Sequence, residues 1–298
     1  MDLNSNRQPF RSTIAQSWKS VRGAIASDRL RRIRALLFQI YVLIALLAFA
    51  ALTVLANSFP VFQPDVLLTR NLQSETVGWR GIGFILQAVS YPGYAIPSMV
   101  LIVVVVALLA IIGLRWEALS ALFAGVSSGL LNYLVKTAVH RPRPTSNLVE
   151  VFQNISGYSF PSGHVMFYMA FFGFLLFLTF TLVKRTWWRY LLMTLLILLI
   201  ALVGLSRMYL GEHWASDVLG GYLLGSLDLI LSIMFYRWGK ARRVVKQPVA
   251  ATTPATTAAV PQEEKKEVEE ALQNPLLLKK EVIKEEQKIQ NDQHSDHP

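Results

Sequence analysis

Three short runs of the sequence concentrate side chains able to handle a phosphoryl group. The first is Lys136-Thr137-Ala138-Val139-His140-Arg141-Pro142-Arg143-Pro144, and the second is Tyr158-Ser159-Phe160-Pro161-Ser162-Gly163-His164. The third runs from Ser206-Arg207 through Glu212-His213-Trp214-Ala215-Ser216 to Asp217. Lys136, Arg143 and Arg207 supply three cations with many donors, suited to a group carrying about −1.5 to −2 charges. Pro161-Ser162-Gly163 leads into an apolar helical run, where glycine lets backbone N–H groups approach an anion at the positive end of the helix dipole. Ser162 adds a hydroxyl donor. His213 and Asp217 lie four residues apart and share a face on a helix, so the carboxylate can accept the imidazole Nδ1–H and leave Nε2 free as a nucleophile. His164 has no carboxylate neighbour in sequence, which suits a free acid/base.

Each feature also has a plainer explanation. A lysine or arginine at a helix end can snorkel to lipid headgroups, and for Lys136 alone that explanation is as good as phosphate binding. It does not account for the paired histidines. His213 could be a helix-start histidine beside an acidic neighbour, and His164 an interfacial turn residue. A metal site is disfavoured, because two histidines and one aspartate among three cations repel a divalent ion. His140 and Arg141, lying between the other positions of the first run, are expected to be surface contacts.

The elements that must carry these runs are membrane helices. Of 298 residues, 53% are hydrophobic and only 16% charged, with a mean hydropathy of +0.40. An ordinary soluble domain is about 25% charged, so the bilayer is the indicated solvent. The absence of cysteine excludes disulfides, thiolate ligands and cysteine nucleophiles. Six stretches reach the roughly 20 apolar residues needed to cross the hydrocarbon core, at 35–56, 95–114, 117–138, 164–183, 188–206 and 215–236. The expected fold is therefore all-α, a six-helix transmembrane bundle. The apolar run after the N-terminal leader is too long for a signal peptide and predicts an uncleaved anchor.

Residues 1–250 carry 23 Lys and Arg against 9 Asp and Glu, and residues 251–298 carry 6 against 10. The basic residues flank apolar runs, so phospholipid headgroups rather than nucleic acid are the expected counter-charge. The clusters at 29–34, 184–189 and 237–246 fall on one face of a six-span topology, predicted to be cytoplasmic, with both termini inside. All three chemical runs then emerge together on the opposite face. Three domains are expected: a basic cytoplasmic leader over 1–34, the helical body over 35–240, and a disordered tail over 247–298. Within the leader, Phe10, Ile14, Trp18, Val21 and Ile25 have the spacing of an interfacial amphipathic helix, although a solvated tail fits equally well. Residues 58–94 predict short helices along the outer surface. Gly125-x3-Gly129 and Gly221-x3-Gly225 allow helices to pack closely, and the aromatics around Phe167–Phe180 suit core packing or lipid contact. Asp228 reads as a buried hydrogen-bonding residue. A lipid is expected to slide in laterally between helices, with the sixth span, which carries His213 and Asp217 at its outer end, lining the entrance and the fourth as its partner.

Lys136-x6-Arg143-Pro144, Pro161-Ser162-Gly163-His164 and Ser206-Arg207-x5-His213-x3-Asp217 together resemble the three-part signature of the type-2 phosphatidic acid phosphatase superfamily. That superfamily consists of membrane lipid phosphatases, and it shares its fold with soluble vanadium haloperoxidases. The resemblance covers about residues 60–238, with Val165 a minor departure where a smaller residue is expected. It implies that His213 attacks phosphorus to form a phosphohistidine, that Asp217 orients it, and that His164 protonates the leaving alkoxide and later activates water. It implies that Lys136, Arg143, Ser162, Gly163 and Arg207 hold the phosphoryl oxygens, with no metal and no cofactor. The function expected is hydrolysis of a lipid phosphate or diphosphate, such as undecaprenyl diphosphate, phosphatidylglycerophosphate or phosphatidate, at the outer face of the plasma membrane. A phosphotransferase using the same site is the near alternative, and a non-enzymatic transporter the distant one.

Overall fold

The computed structural model describes residues 8–76, 80–153 and 155–245, with backbone alone for 8–28, 76, 80 and 243–245. The acidic tail expected from residue 247 onward lies outside the described residues, as do the side chains of the expected amphipathic face at Phe10 to Ile25.

The basic leader and the first apolar run form one unbroken helix, α1 (Gln8–Ser58). Two short helices follow, α2 (Gln63–Thr76) and α3 (Arg80–Ser90), and a 3₁₀ turn at Tyr91–Gly93 leads into α4 (Ala95–Ile111). Next come α5 (Arg115–Val139), α6 (Gly163–Phe167), a π-helical turn at Tyr168–Phe172, α7 (Gly173–Leu182), α8 (Trp187–Tyr209) and α9 (Ala215–Val245). Among the described residues five helical stretches are long and apolar enough to span a membrane. A sixth is reached if Gly81–Gly93 and Ala95–Ile111, bent by 63°, count as one. The chain is thus an all-α polytopic membrane protein. Its second span is the least regular, because α4 alone has 17 residues, fewer than the stretch 95–114 suggested.

The aromatic run forms the core. Val165, Phe167, Tyr168, Phe171, Phe172 and Phe174 are buried, joined by Ala121 and Ala124 of α5, Val203 of α8 and Val218 of α9. Small residues bring the helices together. A Cβ on Gly221 would lie 2.9 Å from Ser162 O, and one on Gly225 would lie 2.9 Å from Met169 Cβ, so α9 packs directly on the helix that begins at Gly163. This tight seam joins the fourth and sixth spans at the level of Gly221 and Gly225. Gly125 has the same role toward Ile102 of α4, whereas Gly129 meets nothing within 4 Å. Asp228 is fully buried and accepts a 2.8 Å hydrogen bond from Ser127 Oγ across α5 and α9.

Candidate active site

Breaks in the helices present the chemical residues at one end of the bundle. Helix α5 stops at His140, whose left-handed φ of 56° caps it, and Pro142 and Pro144 cannot extend it. Lys136 is left in the last turn. Ser162, in extended conformation, precedes the first residue of α6, so Gly163 and His164 occupy its first turn. Arg207 lies near the end of α8, and His213 in the tight turn between α8 and α9. That turn needs Gly211, which has φ +66° and whose added Cβ would run into Glu150 O.

Asp217 works from the first turn of α9. Its Oδ2 accepts the backbone N–H of Trp214 at 2.8 Å, reaching back across the helix start as in a capping box. Ser159 Oγ donates to the same oxygen. His213 Nδ1 lies 3.6 Å from Asp217 Oδ2 and 3.4 Å from Ser159 Oγ, so the aspartate faces the ring at ion-pair range with the serine hydroxyl beside it. On the other side of the ring, Arg143 Nη1 is 3.3 Å from His213 Nε2 and donates to Glu212 O at 2.8 Å. His213 is 2% exposed. Burial, followed by the charges of Arg143, Lys136 and Arg207, holds its pKa well below the ordinary 6.5 and keeps the ring neutral. Burial also pulls the Arg143 guanidinium below its usual value, with Asp217 opposing.

The remaining residues close around this ring. Lys136 Nζ donates to Tyr158 O at 2.8 Å, turning inward rather than toward lipid. Ser162 N donates to Asp217 O at 3.0 Å, tying the second run to the third. Ser162 Oγ and His164 Nε2 are buried without a hydrogen-bond partner among the described residues. Buried polar atoms are rarely left unmet, and two of them at one site mark the place of a polar group that arrives with a ligand.

The structure adds residues that the sequence reasoning passed over. Arg141 is 1% exposed, not a surface contact. It donates to Asp217 Oδ1 at 2.6 Å and Asp65 Oδ2 at 2.8 Å, while its neighbour His140 is exposed as expected. Removing one partner of such a buried pair costs about 3–5 kcal/mol. Arg207 is paired with Glu212 and donates to Ser90 Oγ, and its guanidinium lies 5.5 Å from the Tyr94 ring centroid. Tyr94 also donates to Glu212 Oε1 at 3.1 Å and meets His164 edge-on at 4.8 Å. The signal for Arg141 is present in the sequence: an arginine followed by a proline, two residues before a phosphate-binding candidate. Asp65, Ser90 and Tyr94 are remote in sequence and carried no such signal.

Residues 117–242 match the model of the PAP2 superfamily. Among curated relatives, phosphatidylglycerophosphatase B of Bacillus subtilis is 36% identical over 121 residues, covering 39% of this chain and 56% of that protein. An undecaprenyl-diphosphatase of Sulfolobus acidocaldarius is 31% identical over 113 residues, covering 38% and 45%. The chain thus spans about half the length of the curated relatives it matches. The crystal structure of a transmembrane PAP2-type phosphatidylglycerolphosphate phosphatase from Bacillus subtilis superposes with a TM-score of 0.57 at 24% identity, over 70% of this chain and 98% of that one. That likeness concerns the fold. The matched segment contains all three chemical runs and the helices that present them, so over residues 117–242 the chain is similar to the PAP2 superfamily.

Proposed function

We propose that the protein is an integral membrane phosphatase that hydrolyses a lipid phosphate or diphosphate through a phosphohistidine, at the non-cytoplasmic face of the plasma membrane. The observation carrying this reading is the neutral, buried His213, with Nδ1 toward Asp217 and Nε2 toward Arg143, beside the unpartnered Ser162 Oγ and His164 Nε2.

In the first step Nε2 of His213 forms a bond to phosphorus as the P–O bond to the lipid breaks. His164, entering with a proton, gives it to the departing oxygen. The imidazole of His213 gains positive charge, which Asp217 faces. Lys136, Arg143 and Arg207 hold the phosphoryl oxygens with the first-turn N–H of Gly163 and the Ser162 hydroxyl. In the second step water attacks phosphorus, His164 takes its proton, the P–N bond breaks and inorganic phosphate leaves. The fixed cations supply the charge stabilisation that a metal gives elsewhere. The names of the two curated relatives place a phosphoryl group on a lipid in both cases, supporting phosphatidylglycerophosphate or an isoprenoid diphosphate as substrate.

Phosphate release from purified lipid phosphates in detergent, with EDTA present, tests the reading. Turnover of at least one such lipid, unchanged by chelator, is expected. Activity that is lost and then restored by Mg²⁺ or Zn²⁺ would overturn the metal-free mechanism, and transfer to an alcohol without free phosphate would favour the phosphotransferase. The sidedness has its own test, since the chain has no cysteine. In intact cells a cysteine at Asn147 is expected to react with an impermeant thiol reagent, and one at Thr186 is not. The reverse pattern would invert the topology.

A further inference from the structure

Asp217 is held by a buried chain that leads out of the three chemical runs. Arg141 spans two carboxylates, with Nη1 on Asp217 Oδ1 at 2.6 Å and Nη2 on Asp65 Oδ2 at 2.8 Å. Asp65 belongs to the first turn of α2 and lies outside the segment 117–242 that matches the family model. Its Oδ1 accepts Ser216 N at 2.9 Å, and its Oδ2 accepts Ser216 Oγ at 2.5 Å. Arg141 Nη1 also donates to Ser216 Oγ at 2.7 Å, and Arg141 Nε to Pro60 O at 3.2 Å. Asp65, Arg141 and Asp217 are 3%, 1% and 0% exposed, so water screens none of these charges.

Counting charge along the chain gives Asp65 a role. Arg141 beside Asp217 alone would cancel the negative charge that the His213 imidazolium needs. Asp65 on the far arm of the same guanidinium offsets Arg141. The three groups then sum to −1 before attack on phosphorus, and with the cationic His213 ring they sum to zero after it. Without the Asp65 charge, the same step would leave a net positive charge in a buried site already crowded by cations. The other charged or titratable groups around the ring are Arg143 before α6, Lys136 of α5, His164 of α6 and Arg207 of α8, the last paired with Glu212. Asp65 also fixes Ser216, next to Asp217 in the first turn of α9. Resting on the phosphohistidine reading above, we propose that Asp65 of α2 is a positioning residue for the reaction. It acts through Arg141, which it orients and neutralises so that Asp217 keeps its charge for His213.

The test uses the full-length protein in detergent, with Asp65→Asn, Arg141→Gln and the double variant. The readouts are kcat, KM and the NMR titration of the His213 imidazole. Asp65→Asn is expected to lower kcat roughly 10–100-fold, the range for groups that orient a reacting ligand from behind, with KM within about threefold of wild type. It should move the His213 titration to lower pH. Arg141→Gln should move it to higher pH, and the double variant should return it close to wild type. A merely structural role cannot give shifts of opposite sign. Asp65→Asn with kcat and titration unchanged, or both single variants shifting the same way, would overturn the proposal. If Asp65→Asn does not fold, Arg141→Gln probes the chain from its other end, and a titration that fails to rise overturns it equally. Absence of phosphate release from wild type would count against the phosphatase reading itself, and the titration shifts would remain readable.

Discussion

A buried carboxylate ties α9 to α5 at one end of the bundle and to the loop after α5 at the other, and the two ties are built differently. At one end Glu117, 2% exposed in the first turn of α5, accepts Lys240 Nζ at 2.5 Å and Tyr236 OH at 3.2 Å. Trp116 Nε1 closes the group on Tyr236 O at 2.9 Å. At the other end Asp217 is held by Arg141, Ser159 and the Trp214 backbone, yet it still faces His213. The Glu117 cluster turns its donors and acceptors on one another, and its lysine is 44% exposed and shared with water. The Asp217 cluster has a fully buried cation beside it and, close by, Ser162 Oγ and His164 Nε2 with no partner among the described residues. A buried charge pair by itself therefore marks a joint. A site is marked by polar groups held in place and left unmet.

The largest expected effect comes from removing the group on which the second cluster converges. His213→Ala should cut turnover by about 10⁴-fold or more, the scale on which covalent nucleophiles act. The protein should remain folded and inserted in the membrane. Wild type quenched in alkali after exposure to radiolabelled substrate should carry a base-stable phosphohistidine that the variant lacks. Asp217→Asn should lose less, since the His213 imidazole stays while its facing charge is gone. Substantial residual turnover in His213→Ala would remove the distinction between the two ends.

Much of this difference is legible in the sequence, and the limit has a physical cause. Apolar length and basic flanks are local properties, so the spans and the shared face of the three runs can be read directly. His213 and Asp217 lie close together, but not on the shared helix face that their spacing suggests. His213 sits in the turn before α9, and the two approach because Asp217 reaches back over the helix start. Contacts between remote segments leave no periodic trace. Asp65 and Tyr94 reach the site only because α2 and the bend between α3 and α4 fold over it. Arg141 was misjudged for a related reason, since a charged residue in a loop is exposed unless something distant covers it.

A smaller effect concerns pH. An unfolded histidine titrates near 6.5, whereas folded His213 titrates well below that because burial and three nearby cations oppose its protonation. Between those two values the unfolded chain binds a proton that the folded chain refuses. Stability from this group is therefore fully present above the unfolded value and falls as pH drops toward the folded one. The His213 imidazole stays neutral over the same window, so if it is the attacking group the acid limb of kcat/KM due to the enzyme should lie well below pH 6.5. A phosphate monoester itself titrates near pH 6, so the imidazole must be observed directly. In protein with ¹⁵N-labelled histidine, the resonance lost in His213→Gln should show no titration between pH 8 and 6. A midpoint at or above 6.5 would mean that the cations do not converge on this ring.

The smallest effect on chemistry belongs to the opposite tie. Glu117→Gln keeps the size of the side chain and an acceptor for Tyr236, but removes the charge that meets Lys240. Lys240 is nearly half exposed, so water compensates much of what the lysine loses. The cost falls mainly on the buried side, where one charge-assisted hydrogen bond becomes a neutral one, worth about 1–2 kcal/mol. The variant should therefore unfold at a slightly lower temperature in detergent. Turnover should stay within about twofold of wild type, because none of its contacts reaches the three chemical runs. Measuring melting and phosphate release on the same preparation separates the two effects. A large loss of turnover without loss of stability would show that strain at this end of α5 and α9 reaches His213, and the two ties would have to be treated as one mechanical unit.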